Sequence, residues 1–385
     1  MIQCTIEKIM YGGYGLARTD NGVLFVEQVL PEETVTAEIY TRKGGVPVAG
    51  LLEIVKPSSY RRQPACQYYG ACGGCDWQYI HYPKQLEYKR DIVVECLNRI
   101  GKIESVPEME TVPSPEWEYR LRAQLKVDPS ASSLGFYRRR SNNVVKIDNC
   151  PLLTNKINGV LEMQKTIVNG LPQPCKEIKV VAGDNGSIAS SPVIPHFSGV
   201  STEITVSHKV FTVSGDSFFQ GNRFLLEKLG YRVKEYASGN FFVDMYGGVG
   251  FFSVMLADNF SQGLLIESSR DLAGLAQKNI SRNAFNHIAT DAVSAEHFFK
   301  ESVHSLPVPD CIIIDPPRPG LTRQVREGIR NLQPRTVVYI SCNPSTQARD
   351  AGFFVKKCGY KIEKAALFDL YPQTHHIESV LLLVL

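Results

Sequence analysis

The second half of the chain carries the feature that most restricts its fold. From about residue 210, apolar stretches at 240–244, 263–267, 310–315 and 336–341 alternate with stretches of helical character at 251–257, 271–284, 323–332 and 345–358. Strands separated by helices pair side by side in a parallel sheet, so the alternation predicts a doubly wound α/β architecture. In such a sheet the ligand crevice lies at the carboxyl ends of the strands, which is where the chemistry should be sought.

The first half reads differently. Short β-rich pieces at 4–10, 22–26, 34–40 and 50–55 are punctuated by Gly12-Gly13, Pro31 and Gly44-Gly45, a spacing that predicts a small barrel. Pro57-Ser58-Ser59 reads as a linker, and Leu86, Ile92, Val93, Cys96 and Leu97 predict a helix over 83–99. Between about 120 and 208, β-like stretches such as 122–127 and 143–147 alternate with turns and suggest an irregular sheet. We expect three units: 1–56, 57–208 and 209–385, with helix 83–99 able to pack on the last. A length of 385 residues at 43% hydrophobic content supports cores of that number.

Glu7 and Lys8 interrupt any N-terminal apolar run, and the apolar stretch 380–385 is far too short to cross a bilayer, so a cytoplasmic protein is expected. Ten cysteines in a chain of this kind suggest metal binding or catalysis before disulfides. A net charge of +3 leaves the partner open.

Four constellations carry chemical meaning. Gly247-Gly248-Val249-Gly250 follows a strand ending at Asp244 and opens a helix, with Glu267 closing the next strand. That is a nucleoside-cofactor pattern, in which glycines admit the ligand to the backbone and the carboxylate accepts from ribose hydroxyls. Asp315-Pro316-Pro317-Arg318 ends the apolar strand at 311–314 and holds a carboxylate at the same edge. Ser341-Cys342-Asn343-Pro344 places a cysteine at the next strand end, before a helix whose N-terminus would favour its thiolate, and Glu378, beside a strand start at Ser379, is placed as an acid or base. Cys66, Cys72 and Cys75, spaced C-x5-C-x2-C, with Cys150 as a distant fourth, form a metal-ligand arrangement compatible with an iron–sulfur cluster or with structural zinc. Interleaved basic and aromatic residues at Tyr60-Arg61-Arg62, Tyr119-Arg120-Leu121-Arg122 and Phe136-Tyr137-Arg138-Arg139-Arg140 suit phosphates and unpaired bases, or a solvated basic face.

Taken together, these residues resemble the RNA uracil-C5 methyltransferase family, specifically members with an N-terminal TRAM domain and a four-iron four-sulfur cluster. The resemblance spans nearly the whole chain. Ile9 to Leu16 and Phe25-Val26 look like the TRAM barrel, while Gly135-Phe136-Tyr137-Arg138 and Asp148-Asn149-Cys150-Pro151 look like the middle domain. The resemblance implies an OB-like TRAM barrel, an iron–sulfur and β middle domain, and a Rossmann-like class I methyltransferase domain. It implies Cys66, Cys72, Cys75 and Cys150 as cluster ligands and S-adenosyl-L-methionine held by Gln220, Tyr246, Glu267, Asp291 and Asp315. Cys342 is implied as nucleophile and Glu378 as base. Gly247 departs from the pattern, since many members have a cysteine there.

The implied reaction is methyl transfer to C5 of a uridine in RNA, 23S ribosomal RNA first and transfer RNA as the alternative, with no membrane and no obligate protein partner. Radical S-adenosylmethionine chemistry is the competing enzyme class, but its C-x3-C-x2-C spacing is absent. A non-catalytic RNA-binding protein is the other alternative, against which Cys342 and Glu378 both speak.

Overall fold

The computed structural model describes residues 1–172, 174–303 and 306–385. The chain begins with a closed barrel of β1 (Ile2–Met10), β2 (Tyr14–Thr19), β3 (Gly22–Glu27), β4 (Thr34–Lys43) and β5 (Val46–Lys56), in the order β1-β2-β3-β5-β4 with β4 returning to β1. The sequence pattern shows four of these strands; β2, which starts directly after Gly12-Gly13, escapes it. Gly15 is in the strand because a side chain has no room there: a Cβ would stand 2.4 Å from Val29 Cγ2 and 2.9 Å from Ile6 Cγ2.

Helix α1 (Tyr82–Arg99) starts with Pro83 in its first turn, which suits the fixed φ of proline. It buries Ile92, Val93, Cys96 and Leu97, then leads to the short strand β6 (Met109–Val112). A five-stranded sheet follows, with β7 (Arg122–Asp128), β8 (Ser133–Tyr137), β9 (Val144–Lys146), β10 (Glu177–Ala182) and β11 (Ile188–Ser191) in the order β11-β10-β7-β8-β9. Helices α2 (Asn155–Glu162) and α3 (Gln164–Gly170) lie between β9 and β10, and β12 (Ser201–Val206) and β13 (Lys209–Ser214) form a separate hairpin.

The remaining elements build the large sheet. They are α4 (Leu226–Tyr236), β14 (Phe241–Met245), α5 (Phe251–Leu256), β15 (Gln262–Ile266), α6 (Arg270–Arg282), β16 (Ile288–Asp291), the single turn α7 (Ala295–His297), β17 (Cys311–Ile314), α8 (Arg323–Leu332), β18 (Thr336–Ser341), α9 (Pro344–Cys358), β19 (Lys361–Phe368) and β20 (Ser379–Val384). The strand order is β16-β15-β14-β17-β18-β20-β19-β6. β14 to β18 are mutually parallel, as the strand and helix alternation predicts, and β20 runs antiparallel to both β18 and β19.

One feature departs from a simple division at residue 209, and a second, the packing of helix 83–99 on the last unit, is as expected. β6, far upstream, pairs in parallel with β19 and completes the edge of the large sheet. Helix α1 packs on α9, with Cys96 Sγ 3.8 Å from Ser345 Oγ. Among the described residues no helix is long and apolar enough to cross a membrane.

Candidate active site

The direction of winding reverses between β14 and β17, so the two βα turns that leave these strands diverge and open a crevice at the carboxyl ends. β14 is apolar and buried up to Asp244 and Met245. Tyr246 then takes a left-handed backbone, φ 61°, unusual for a bulky residue and a mark of a constrained turn. The turn aims backbone donors at the neighbouring strand end: Gly247 N–H meets the Ile266 carbonyl at 3.0 Å and Gly248 N–H meets Glu267 Oε2 at 3.0 Å. The other Glu267 oxygen accepts from Ser269 N–H at 2.8 Å, so the carboxylate is oriented while keeping lone pairs for a ligand. A Cβ at Gly247 would lie 2.4 Å from Leu265 Cγ, so this position is glycine because Leu265 fills the space a side chain would need. Asp291 ends β16 beside this turn, its carbonyl accepting from Glu267 N–H at 3.2 Å.

Gln220 arrives from outside the sheet. Phe219 packs between Phe211 and Phe251, at ring-centroid distances of 5.6 and 5.4 Å, and this fixes the segment over α5. Gln220 Nε2 donates to Asp315 Oδ2 at 3.3 Å, while its buried Oε1 meets no donor. Asp244 shows the same pattern: Oδ2 accepts from Ser253 N–H at 3.0 Å and Ser253 Oγ at 2.7 Å, and buried Oδ1 has no partner. A buried polar atom without a partner is costly, and a polar ligand in the crevice would remove that cost.

The register of β18 and β20 brings the two remaining residues together. Ser341 pairs with Ser379 in antiparallel alignment, so the next residue out from each, Cys342 and Glu378, stand opposite one another. Gln347 locks this edge, donating to the carbonyls of Tyr339 (3.0 Å) and Ser379 (3.3 Å) and accepting from Ser379 Oγ at 2.7 Å. Asn343 caps α9 through Oδ1, accepting from Ser345 and Thr346 N–H, and its Nδ2 donates to the Arg318 carbonyl at 2.9 Å. The cysteine turn and the Asp315 turn are thereby tied together.

The electrostatics of the crevice run against negative charge. Burial pushes the Asp244 carboxyl up to about 7. Burial, with Asp244 nearby, lifts Asp315 to about 7. Glu378 is driven well above the usual carboxylate range by burial and by Asp315. The Cys342 thiol rises to about 11 through burial, then Glu378 and Asp315, with Arg318 opposing. Desolvation and the two carboxylates thus oppose the thiolate that the helix N-terminus by itself would favour.

Away from the crevice, Cys66, Cys72, Cys75 and Cys150 line one small cavity with Tyr68, Phe136 and Ile147. Gly74 N–H points at Cys72 Sγ at 3.4 Å. Among the described residues no group of three or more His, Cys, Asp or Glu is arranged to hold a metal ion. In the first basic and aromatic cluster both arginines are half-buried and ion-paired, Arg61 with Glu33 at 2.6 Å and Arg62 with Glu116 at 2.5 Å, while Tyr60 is exposed. Sequence reasoning missed Asp244, Gln347 and the Asp76 and His375 contact described below. Of these only Asp244 gave a signal, a charged residue inside an otherwise apolar strand.

A doubly wound sheet with a glycine turn, an acidic second strand end and a crevice of convergent acids defines a nucleoside-cofactor transferase of the class I methyltransferase fold. A sequence model of the tRNA (uracil-5-)-methyltransferase family matches residues 198–385. An RNA methyltransferase of Aquifex aeolicus is 32% identical over 99% of this chain and 98% of its own. The tRNA (uracil(54)-C(5))-methyltransferase of Schizosaccharomyces pombe is 31% identical over 96% of this chain and 75% of its own. The 23S rRNA (uracil(1939)-C(5))-methyltransferase RlmD of Aliivibrio salmonicida is 26% identical over 98% of this chain and 94% of its own. The fold is shared with the crystal structure of the Pyrococcus abyssi tRNA (uracil-54, C5)-methyltransferase in complex with S-adenosyl-L-homocysteine, which aligns over 100% of both chains at a TM-score of 0.78 and 23% identity. The chain belongs to the family of S-adenosylmethionine-dependent RNA uracil-C5 methyltransferases.

Proposed function

We propose that the protein methylates C5 of a uridine in RNA through a covalent bond between Cys342 and C6, with Glu378 as the base. The observation that carries this reading is the antiparallel register that sets Cys342 opposite Glu378 at the mouth of an acid-lined crevice. C5 of uracil is too weak a nucleophile to take a methyl group unaided. The Cys342 thiol gives up its proton to solvent as its sulfur adds to C6, which moves electron density to C5; C5 takes the methyl group, and removal of the C5 proton by the ionised Glu378 carboxylate then restores the C5–C6 double bond and expels the sulfur. A carboxyl held above its usual range is a stronger base once ionised, which suits this step.

S-adenosyl-L-methionine supplies an electrophilic methyl on a sulfonium cation. Unpartnered oxygens on Gln220 and Asp244, and carboxyls that resist ionising beside one another, form surroundings that favour a cation. We assign Gln220, Tyr246, Glu267, Asp291 and Asp315 to this cofactor, with Glu267 on the ribose hydroxyls.

The target uridine must be unpaired or flipped to reach the crevice, at a cost of about a few kcal/mol if it is unstacked. Ribosomal RNA is our first choice of substrate and transfer RNA the second; relatives named for each match nearly the whole chain. In this reading residues 1–56 form a TRAM-like barrel that grips RNA, 57–208 an iron–sulfur and β unit, and 209–385 the transfer domain. Cys66, Cys72, Cys75 and Cys150 would hold a four-iron four-sulfur cluster. The four thiols line one cavity, and an all-thiolate donor set is what such a cluster takes. Its contribution would be structural, since transfer of a methyl cation to C5 needs no electron transfer.

The test is a pair of variants incubated with RNA and S-adenosylmethionine. Cys342→Ala should abolish methylation with folding and RNA binding intact. Glu378→Gln should trap a covalent protein–RNA adduct, seen as a slowly migrating band in a denaturing gel. Turnover or adduct in Cys342→Ala would overturn the assignment.

A further inference from the structure

Glu378 ends the connection between β19 and β20, residues 369–378, and the chain upstream of the large sheet's parallel strands holds this connection in place. Lys89 Nζ donates to Asp369 Oδ1 at 2.6 Å and to the Tyr371 carbonyl at 3.0 Å. Asn222 Nδ2 donates to the Asp369 and Leu370 carbonyls, and Tyr119 Oη to the Pro372 carbonyl at 2.9 Å. Gln85 exchanges two bonds with Gln373, while the N–H groups of Asp76 and Trp77 both point at the Gln373 carbonyl, at 3.2 and 3.0 Å.

His375 is the last of these anchors before Glu378. Its backbone N–H donates to Asp76 Oδ1 at 2.9 Å and its ring Nδ1 pairs with Asp76 Oδ2. One carboxylate thus fixes both the backbone and the ring of the same residue, which restrains the direction of the chain as well as its position. The barrel presses from another side: a Cβ on Gly13, whose φ is +80°, would stand 3.0 Å from His375 Cβ and 3.1 Å from Trp77 Nε1. Beyond His375 the bonds are local, from His376 N–H to Thr374 Oγ1 at 3.2 Å and from Phe368 N–H to the Glu378 carbonyl at 2.9 Å.

We propose that Asp76 and His375 form a positioning pair for Glu378, through which the cysteine-bearing segment sets the geometry of proton removal from C5. Asp76 follows Cys75 directly, so the pair joins the loop that carries Cys72 and Cys75 to the loop that carries the base. Cys342 follows the end of β18, and its turn is tied through Asn343 to the Arg318 carbonyl and not to this joint. Loss of the pair should therefore slow release of the adduct and spare its formation. The inference rests on the reading of Glu378 as the base.

In the full-length protein purified anaerobically, His375→Ala and Asp76→Ala should each lower turnover by about 100-fold, the loss expected when a reacting group is displaced by about 1 Å. The covalent adduct should accumulate in the gel, and affinities for RNA and S-adenosylhomocysteine should stay within about twofold of the parent. His375→Asn, whose amide nitrogen can stand where Nδ1 stands, should recover most of the turnover; His375→Gln should not. The double alanine variant should be no slower than either single one, as for residues acting as a unit.

Near-parental turnover in either alanine variant sinks the pairing, and so does a loss in which adduct formation, RNA binding and turnover fall together. Should His375→Ala fail to fold, equal rates for His375→Asn and His375→Gln would overturn it. If Glu378→Gln forms no adduct at all, the assignment of the base falls first and this inference falls with it.

Discussion

Asp244 holds one carboxylate oxygen on Ser253 and leaves the other buried without a donor. Its folded value of about 7 lies above the roughly 3.9 of an unfolded aspartate, so the native state binds this proton more tightly than the unfolded chain does. The stability it contributes is present in full below about pH 4 and is lost as the pH climbs through about 7. Thermal melts across that window should show the parent losing stability more steeply than Asp244→Asn, which cannot ionise. Parallel curves would show that the Asp244 proton is not linked to folding. The residue lies at the crevice, and its cost in stability is of the kind functional sites commonly carry.

Single elements place these residues by very different means. Helices α5, α6, α8 and α9 were legible because their signals are local: Ser269, Thr322 and Asn343 cap three of them, and Pro344 opens α9. Strand β19 was not legible, since the charged and alanine-rich start of Lys361–Phe368 carries no clean two-residue period. Strand β6, between Pro107 and Pro113, is too short to show any period and exists because β19 offers it an edge. Helix α1 was legible from its apolar stripe, but its buried cation was not. Lys89 and Asp369 are both fully buried, and Lys89 Nζ also lies 5.7 Å from the Trp77 ring centre. Lys89→Met should cost about 3–5 kcal/mol in urea denaturation, because it leaves Asp369 buried without its counter-charge. The double variant Lys89→Met with Asp369→Leu should recover much of that, and equal losses in the two would contradict the charge argument.

At the scale of the whole molecule, the cysteine cavity joins segments that the chain keeps far apart, with Cys150 entering beside Cys66, Cys72 and Cys75. Protein purified without oxygen should be brown and carry about four iron atoms per chain, the content of a cubane held by four thiolates. Stoichiometric zinc without iron in that preparation would refute the cluster. The sequence by itself determined the alternation of β14, β15, β17 and β18 with α5, α6, α8 and α9, the glycine turn, the polar strand ends at Glu267 and Asp315, and the Cys342 turn, because each is written in neighbouring residues and in the preferences of a few backbone angles. Tertiary structure alone decided that β20 runs antiparallel and brings Glu378 opposite Cys342, that Gln220 reaches Asp315, that burial raises the Cys342 thiol, and that Asp76 grips His375. These depend on desolvation and on contacts between distant residues, which exist only once the whole chain has packed.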